Sequence, residues 1–256
     1  MFTMREYARP ASLEEAYALL KKSRNNVVLG GCMWLRLGRK KIGVGVDLTG
    51  LGLDTIERQG MWIAIGGTAT LRQVEKDPLL QEVYGNLFAS CVGPIVGTQF
   101  KNTATMGGSV YARFGFSDIV TLLLGLGARV VLYGRGEVSM EEFCTMPYEK
   151  DIVVKILVPA QMGKCSYQSF RLSATDLPVL NCAVCRDEQG QCRIAVGARP
   201  GRALLCPDAA QCSDPAEAGK IAAEELTFGS NMRGSGEYRK ELCKVLVEDG
   251  LREVLA

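Results

Sequence analysis

Apolar residues recur along the chain with helical and strand spacing by turns, and the alternation sets the order of elements. Leu13, Ala16, Tyr17 and Leu20 share one helical face behind the capping box Ser12-Leu13-Glu14-Glu15. Asn25-Asn26 turns into a short buried strand, Val27-Val28-Leu29, that ends in Gly30-Gly31. Residues 32–37 read as a helical turn, Val44 to Leu48 as a second strand, and Trp62 to Ile65 as a third, stopped by Gly66-Gly67. Thr70 with Gln73 caps one helix carrying Leu71, Val74, Leu79 and Val83. Ser117 opens an apolar helix through Ala128, Arg129 to Tyr133 is a strand, and Ser139 with Glu142 starts a short helix before the strand Ile152 to Val158.

Beyond Pro159 the pattern changes. Two apolar runs, Leu177 to Cys185 and Cys192 to Gly197, flank Asp187-Glu188-Gln189-Gly190 and predict a β-hairpin. Asp214-Pro215-Ala216-Glu217 combines an N-cap, a proline at the first helical position and a glutamate three residues after the cap. Ser235 opens a last helix with Tyr238, Leu242, Val245 and Leu246 on one stripe; Tyr238-Arg239-Lys240 reads as solvated. Three lobes follow, about 1–52, 53–160 and 161–256, with no internal repeat.

Composition narrows the chemistry. The 256 residues are 47% apolar and 23% charged, with a net charge of +2 spread along the chain, so no basic stripe marks a nucleic-acid partner. No apolar run nears the roughly 20 residues of a membrane span. The N-terminus lacks the basic-then-apolar order of a signal peptide, which predicts a cytoplasmic protein whose ten cysteines stay thiols. Histidine is absent, which excludes Ser-His-Asp and Cys-His catalysis and histidine-ligated metals. With few proton carriers left, the composition points to a borrowed cofactor.

The glycine pairs suggest where such a cofactor sits. A strand that ends in paired glycines and turns toward a helix exposes backbone N–H groups to an anion such as pyrophosphate. Gly30-Gly31 fits this description. Thr103 to Ser109, with Gly107-Gly108 at its centre and hydroxyls at Thr103, Thr105 and Ser109, predicts a second such turn. Gly66-Gly67 reads as a plain turn. Neither Gly-x-Gly-x-x-Gly nor a P-loop pattern is present, so the residues alone reach a phosphate-binding α/β protein.

Val28-Leu29-Gly30-Gly31 resembles the first FAD loop of the flavin subunits of molybdenum hydroxylases, the xanthine dehydrogenase and carbon monoxide dehydrogenase group. Asn102-Thr103-Ala104-Thr105-Met106-Gly107-Gly108-Ser109 resembles their second loop, and Ser117-Asp118 before an apolar helix resembles the helix start that follows it. Gly197-Ala198-Arg199-Pro200 and Tyr238-Arg239 resemble that family's terminal domain. The likeness runs from about residue 4 to residue 250.

The resemblance implies an α+β fold: a two-lobed, PCMH-like FAD-binding domain over 1–160 and a C-terminal α+β domain, a small antiparallel sheet with helices, over 161–256. It implies that Leu29, Gly30, Gly31, Cys32, Met33, Trp34 and Leu35, with Thr105, Met106, Gly107, Gly108 and Ser109, wrap the FAD pyrophosphate. Asp118 would accept a hydrogen bond from a cofactor hydroxyl, with Ile95, Val153 and Arg171 near the flavin. It further implies two partners, a small 2Fe-2S subunit and a large molybdopterin subunit, with electrons passing through FAD to NAD or another acceptor. Cys32 stands where the family more often has Thr, Ser or His, Ser109 replaces the usual Asn, and Phe114-Gly115-Phe116 replaces a segment that often carries proline.

Two rivals stand beside this reading: a stand-alone flavin oxidase, and a cysteine-ligated metal or redox-sensing protein. Cys182-Ala183-Val184-Cys185 invites the latter, but residues three apart on a strand point to opposite faces, which separates the two thiols. Cys32, inside an anion loop, is a candidate for a lowered thiol pKa. Trp34 and Trp62 read as core aromatics.

Overall fold

The computed structural model describes all 256 residues, and its elements form a mixed α+β protein around three small sheets. The first is parallel, with Lys41–Val46 between Thr3–Ala8 and Val27–Val28. The helix Leu13–Lys22 covers it, burying Ala16 and Leu20 against Val46, Leu48 and Ile152. The Ser12 side chain accepts from the Glu15 N–H, as the capping box predicts, while the Glu15 carboxylate reaches Ala11 rather than Ser12.

The second sheet has five antiparallel strands in the order Ile56–Gln59, Trp62–Gly66, Val153–Pro159, Arg129–Leu132 and Gly136–Ser139. The helices packed on it close the largest core, which holds Phe88, Met106, Leu122, Leu123 and Phe143. The single helix expected after Thr70 is two, Leu71–Lys76 and Pro78–Tyr84. Asp77 ends the first and caps the second through the Leu80 N–H, and Pro78 occupies a first-turn position where its missing donor costs nothing.

The third sheet is antiparallel, in the order Leu204–Leu205, Cys192–Gly197, Leu180–Arg186 and Cys165–Phe170. The expected hairpin is there, with Cys182 opposite Val196 and Cys185 opposite Arg193. One face of this sheet sends Ala183, Cys185 and Ala195 into the large core beneath the helix Asp118–Gly125. The other sends Leu180, Cys182 and Val184 into a separate core under Pro215–Glu225 and Gly236–Leu255. The two thiols of the Cys-x-x-Cys run thus face different cores.

The last helix corrects the expected stripe. Its buried face is Arg239, Cys243, Leu246, Val247, Gly250, Leu251 and Val254, while Tyr238 and Val245 are exposed. Arg239, expected in solvent, is 1% exposed. Its guanidinium donates to the carbonyls of Val179, Gly229 and Gly234 and to Asn231 Oδ1 at 2.5–2.9 Å, tying the helix to the loop before it. No helix is long and apolar enough to cross a membrane.

Candidate functional site

The first two sheets and the loop that joins Cys165–Phe170 to Leu180–Arg186 contribute to one cleft of about 330 Å³, within the usual span of cofactor pockets. Leu29, Gly30, Cys32, Met33, Trp34 and Leu35 form one wall. Thr105, Gly107, Gly108 and Ser109 form the facing wall, and Ile95, Asp118, Val153 and Arg171 complete it. Fourteen of the sixteen residues singled out above therefore line it. The two exceptions are Gly31 and Met106. Met106 is fully buried in the core, and its N–H is held by the Ala69 carbonyl.

The two glycine pairs meet backbone to backbone. A Cβ at Gly30 would lie 3.2 Å from Gly108 Cα, and one at Gly108 would lie 2.9 Å from the Gly30 carbonyl oxygen. Gly31 has φ +74°, and a Cβ there would stand 1.9 Å from the Thr103 carbonyl oxygen. Side chains at these positions would wedge the walls apart. Gly66-Gly67, read as a plain turn, belongs to the same arrangement: the Gly67 carbonyl accepts from the Gly107 N–H at 2.8 Å, and Gly67 lines the cleft. Its signal was legible as a third glycine pair following a strand.

The walls differ in what they offer an anion. After Leu29, whose N–H pairs with the Val46 carbonyl, the N–H groups of residues 30–34 have no partner within the chain. In the second loop, expected to supply donors as well, the amides from Met106 to Ser109 are engaged. Met106, Gly107, Gly108 and Ser109 donate to Ala69 O, Gly67 O, Thr105 Oγ1 and Thr105 O, because the short helix Met106–Tyr111 begins there against neighbouring backbone. The Ser109 hydroxyl also donates to Thr105 O. The first loop thus keeps its backbone donors unpaired, and the second packs its glycines against it.

Cys32 has φ +58°, and only a three-residue 3-10 turn follows at Leu35–Leu37. Burial, reinforced by the Asp47 carboxylate, pushes its thiol above the ordinary value, reversing the expected lowering. Trp34 is 40% exposed at the rim rather than in the core, with ring centroids 5.6 Å from Phe114 and 5.3 Å from Phe116. Trp62 is half-buried under the Arg129 guanidinium.

At the polar end, Asp118 follows the Ser117 cap on a wholly buried helix. Its Oδ1 accepts from Arg171 at 2.6 Å, from the Tyr167 hydroxyl at 2.5 Å and from Asn181 at 3.4 Å, leaving Oδ2 without a donor from the chain. Tyr167 and Asn181 were not anticipated, since a tyrosine and an asparagine within strands carry no local signal of a distant carboxylate.

Unpaired amides facing a glycine-lined wall, apolar sides and one free carboxylate oxygen fit a dinucleotide. The comparisons with known proteins agree. Residues 2–161 match the family described as the FAD binding domain in molybdopterin dehydrogenase. The chain belongs to this family. It is similar to the medium subunit of nicotine 6-hydroxylase from Paenarthrobacter nicotinovorans, 25% identical over an alignment of 268 positions that covers 94% of each chain. Its fold matches a chain of quinoline 2-oxidoreductase from Pseudomonas putida 86, with a TM-score of 0.85, 21% identity, and coverage of 97% of this chain and 96% of that one. It also matches a chain of carbon monoxide dehydrogenase from Hydrogenophaga pseudoflava, with a TM-score of 0.84, 23% identity, and coverage of 99% and 98%. The protein is therefore an FAD-binding oxidoreductase subunit of the molybdenum hydroxylase family.

Proposed function

We propose that this chain is the flavin relay of a cytoplasmic molybdenum hydroxylase complex, receiving electrons from a small 2Fe-2S subunit and delivering them to NAD or another acceptor, with substrate oxidised at a molybdopterin centre in a large subunit. The run of unpaired N–H groups at residues 30–34 carries the reading. Those amides would hold the FAD pyrophosphate, and the free Oδ2 of Asp118 would take a cofactor hydroxyl, with Arg171 orienting the carboxylate. Leu29, Met33, Leu35, Ile95 and Val153 exclude water from the apolar sides. Bound FAD supplies electron exchange in steps of one or two, which joins one-electron iron–sulfur centres to a two-electron acceptor.

The cleft's own carboxylates favour a relay over an oxidase that handles substrate itself. Asp118 is paired with Arg171, Asp176 with Arg233, and Asp151 accepts from the backbone N–H groups of Gly134, Arg135 and Ile152. Each is committed to a cation or to backbone N–H groups, and in this reading the remaining Oδ2 of Asp118 is taken by the cofactor hydroxyl, which leaves no uncommitted base for a substrate proton. The deciding experiment compares the purified chain with the chain co-expressed with its neighbouring reading frames. The lone chain is expected to be yellow, free of iron and molybdenum, and inactive on purines and aldehydes; the co-expressed complex is expected to contain both metals. Substrate oxidation by the lone FAD-loaded chain would establish a stand-alone oxidase, and a colourless chain that takes up no FAD would remove the flavin role.

A further inference from the structure

We propose that Cys165 and Cys185 are an oxidation site, a cross-strand thiol pair that hydrogen peroxide converts to a disulfide. The two lie directly opposite one another in the antiparallel pair Cys165–Phe170 and Leu180–Arg186. The next residues along, Arg186 and Lys164, carry the hydrogen bond, N to O at 2.9 Å. Cys165 and Cys185 therefore occupy the closer, non-hydrogen-bonded kind of position, where Cα atoms lie about 4.5 Å apart. That spacing falls inside the disulfide window of about 4.4–6.8 Å.

Opposed residues of an antiparallel pair point to the same face, and here that face meets the large core, with Cys185 inside it and Cys165 packed against it. Cys165 is half-exposed and Cys185 fully buried, so one thiol meets the oxidant and the other waits behind it. No other half-exposed cysteine of this sheet has such a partner, since Cys192 lies opposite Arg186. Cys182, three residues from Cys185, faces the other core.

The chemistry balances without a metal. The Cys165 thiolate attacks one oxygen of peroxide, the O–O bond breaks, and hydroxide leaves to take up the thiol proton as water, giving a sulfenic acid. The Cys185 sulfur then attacks the Cys165 sulfur. The S–O bond breaks, and the hydroxyl departs with the Cys185 proton as a second water. Two thiols lose two electrons in all and one peroxide gains them. Burial raises the Cys185 thiol well above its ordinary value, which slows this second step.

The test treats the native, full-length, FAD-loaded chain with excess hydrogen peroxide, quenches it in acid with an alkylating reagent, and maps the cysteines by tryptic mass spectrometry. The expected product links the peptide 165–171 to the peptide 172–186, with fragmentation placing the bridge on Cys185 rather than Cys182. It is expected to account for two fewer alkylated thiols per chain, to revert with dithiothreitol, and to be lost in both Cys165→Ser and Cys185→Ala. A bridge to Cys182 or to any other cysteine overturns the proposal. So does Cys165 that proceeds to sulfinic acid while Cys185 remains alkylatable, or Cys165 that stays a thiol under conditions that oxidise Cys192 or Cys212.

Discussion

Gly31→Ala puts a methyl group against the facing loop without adding or removing charge. The residue has φ +74°, where an L side chain costs about 1–2 kcal/mol. The new Cβ would stand 1.9 Å from the Thr103 carbonyl oxygen, whereas carbon–oxygen contacts settle near about 3.3 Å, so the walls must part by more than about 1 Å. A shift of that size misaligns the N–H groups of residues 30–34. Losing one hydrogen bond to a charged acceptor is worth about 1.5–3 kcal/mol, which corresponds to roughly 10- to 150-fold in the FAD dissociation constant. Gly52→Ala isolates the backbone cost, because Gly52 has φ +70° and a Cβ there meets nothing within 4 Å. Flavin fluorescence titrations of both variants, with thermal melts of the FAD-free proteins, separate the effects. Both are expected to melt earlier than the wild type, and only Gly31→Ala to bind FAD more weakly. Wild-type affinity in Gly31→Ala refutes the assignment of the first loop as donor set, and equal weakening in Gly52→Ala reassigns the effect to general destabilisation.

Arg239→Met leaves the Val179 and Gly229 carbonyls without their donor and takes one of two donors from the Gly234 carbonyl and from Asn231 Oδ1; it is expected to cost about 3 kcal/mol or more, read as a lower urea midpoint at unchanged slope, and a midpoint within error of the wild type rejects the anchoring role. Glu75 has an acid-side dependence: burial alone would raise its pKa, yet the Lys101 and Arg72 hydrogen bonds hold it below the ordinary 4.5. A depressed folded-state pKa gives stability that is present above about pH 4.5 and lost as pH falls through the folded value. The penalty of Lys101→Met is therefore expected to be largest near neutrality and to shrink in melts taken toward pH 3; a penalty constant across that range contradicts the pairing. Cys32, raised by burial, is expected to react slowly with iodoacetamide at pH 7 and faster toward pH 9 and beyond, and rapid labelling at pH 7 would show a thiolate instead.

Local chemistry was the legible part of the fold. Ser12, Thr70, Ser117, Ser139, Asp214 and Ser235 each accept from the N–H three residues on, and each could be named because a cap depends on residues within one turn. The hairpin faces followed from strict alternation. The Asp77-Pro78 helix start carries the same signal as Asp214-Pro215 but sits inside a longer apolar periodicity that masks it. Thr3–Ala8 went unread because it is almost wholly exposed and its only partner in the sheet is the distant strand Lys41–Val46. Arg239 misled for a related reason: its acceptors come from Val179 and the turn at Gly229–Gly234, and nothing in its own helix announces them. In the cleft, the glycine pairs were visible, but which loop keeps its amides free depends on Ala69 and Gly67 reaching across from another strand end.

The donors gathered on Asp118 also bear on how small a working flavin module can be made. Tyr167, Arg171 and Asn181 all lie beyond residue 161, where the family match stops. A fragment cut at that boundary would keep the glycine loops yet carry a carboxylate stripped of its arginine, on a helix whose apolar side had lost the sheet that covers it. Excision at the family boundary therefore removes every side-chain donor to Asp118, and takes Arg171, Thr175, Asp176 and Leu177 from the cleft wall. A graft of this site into another scaffold has to transplant the strands Cys165–Phe170 and Leu180–Arg186, with Arg171 just past the first of them, alongside the loops.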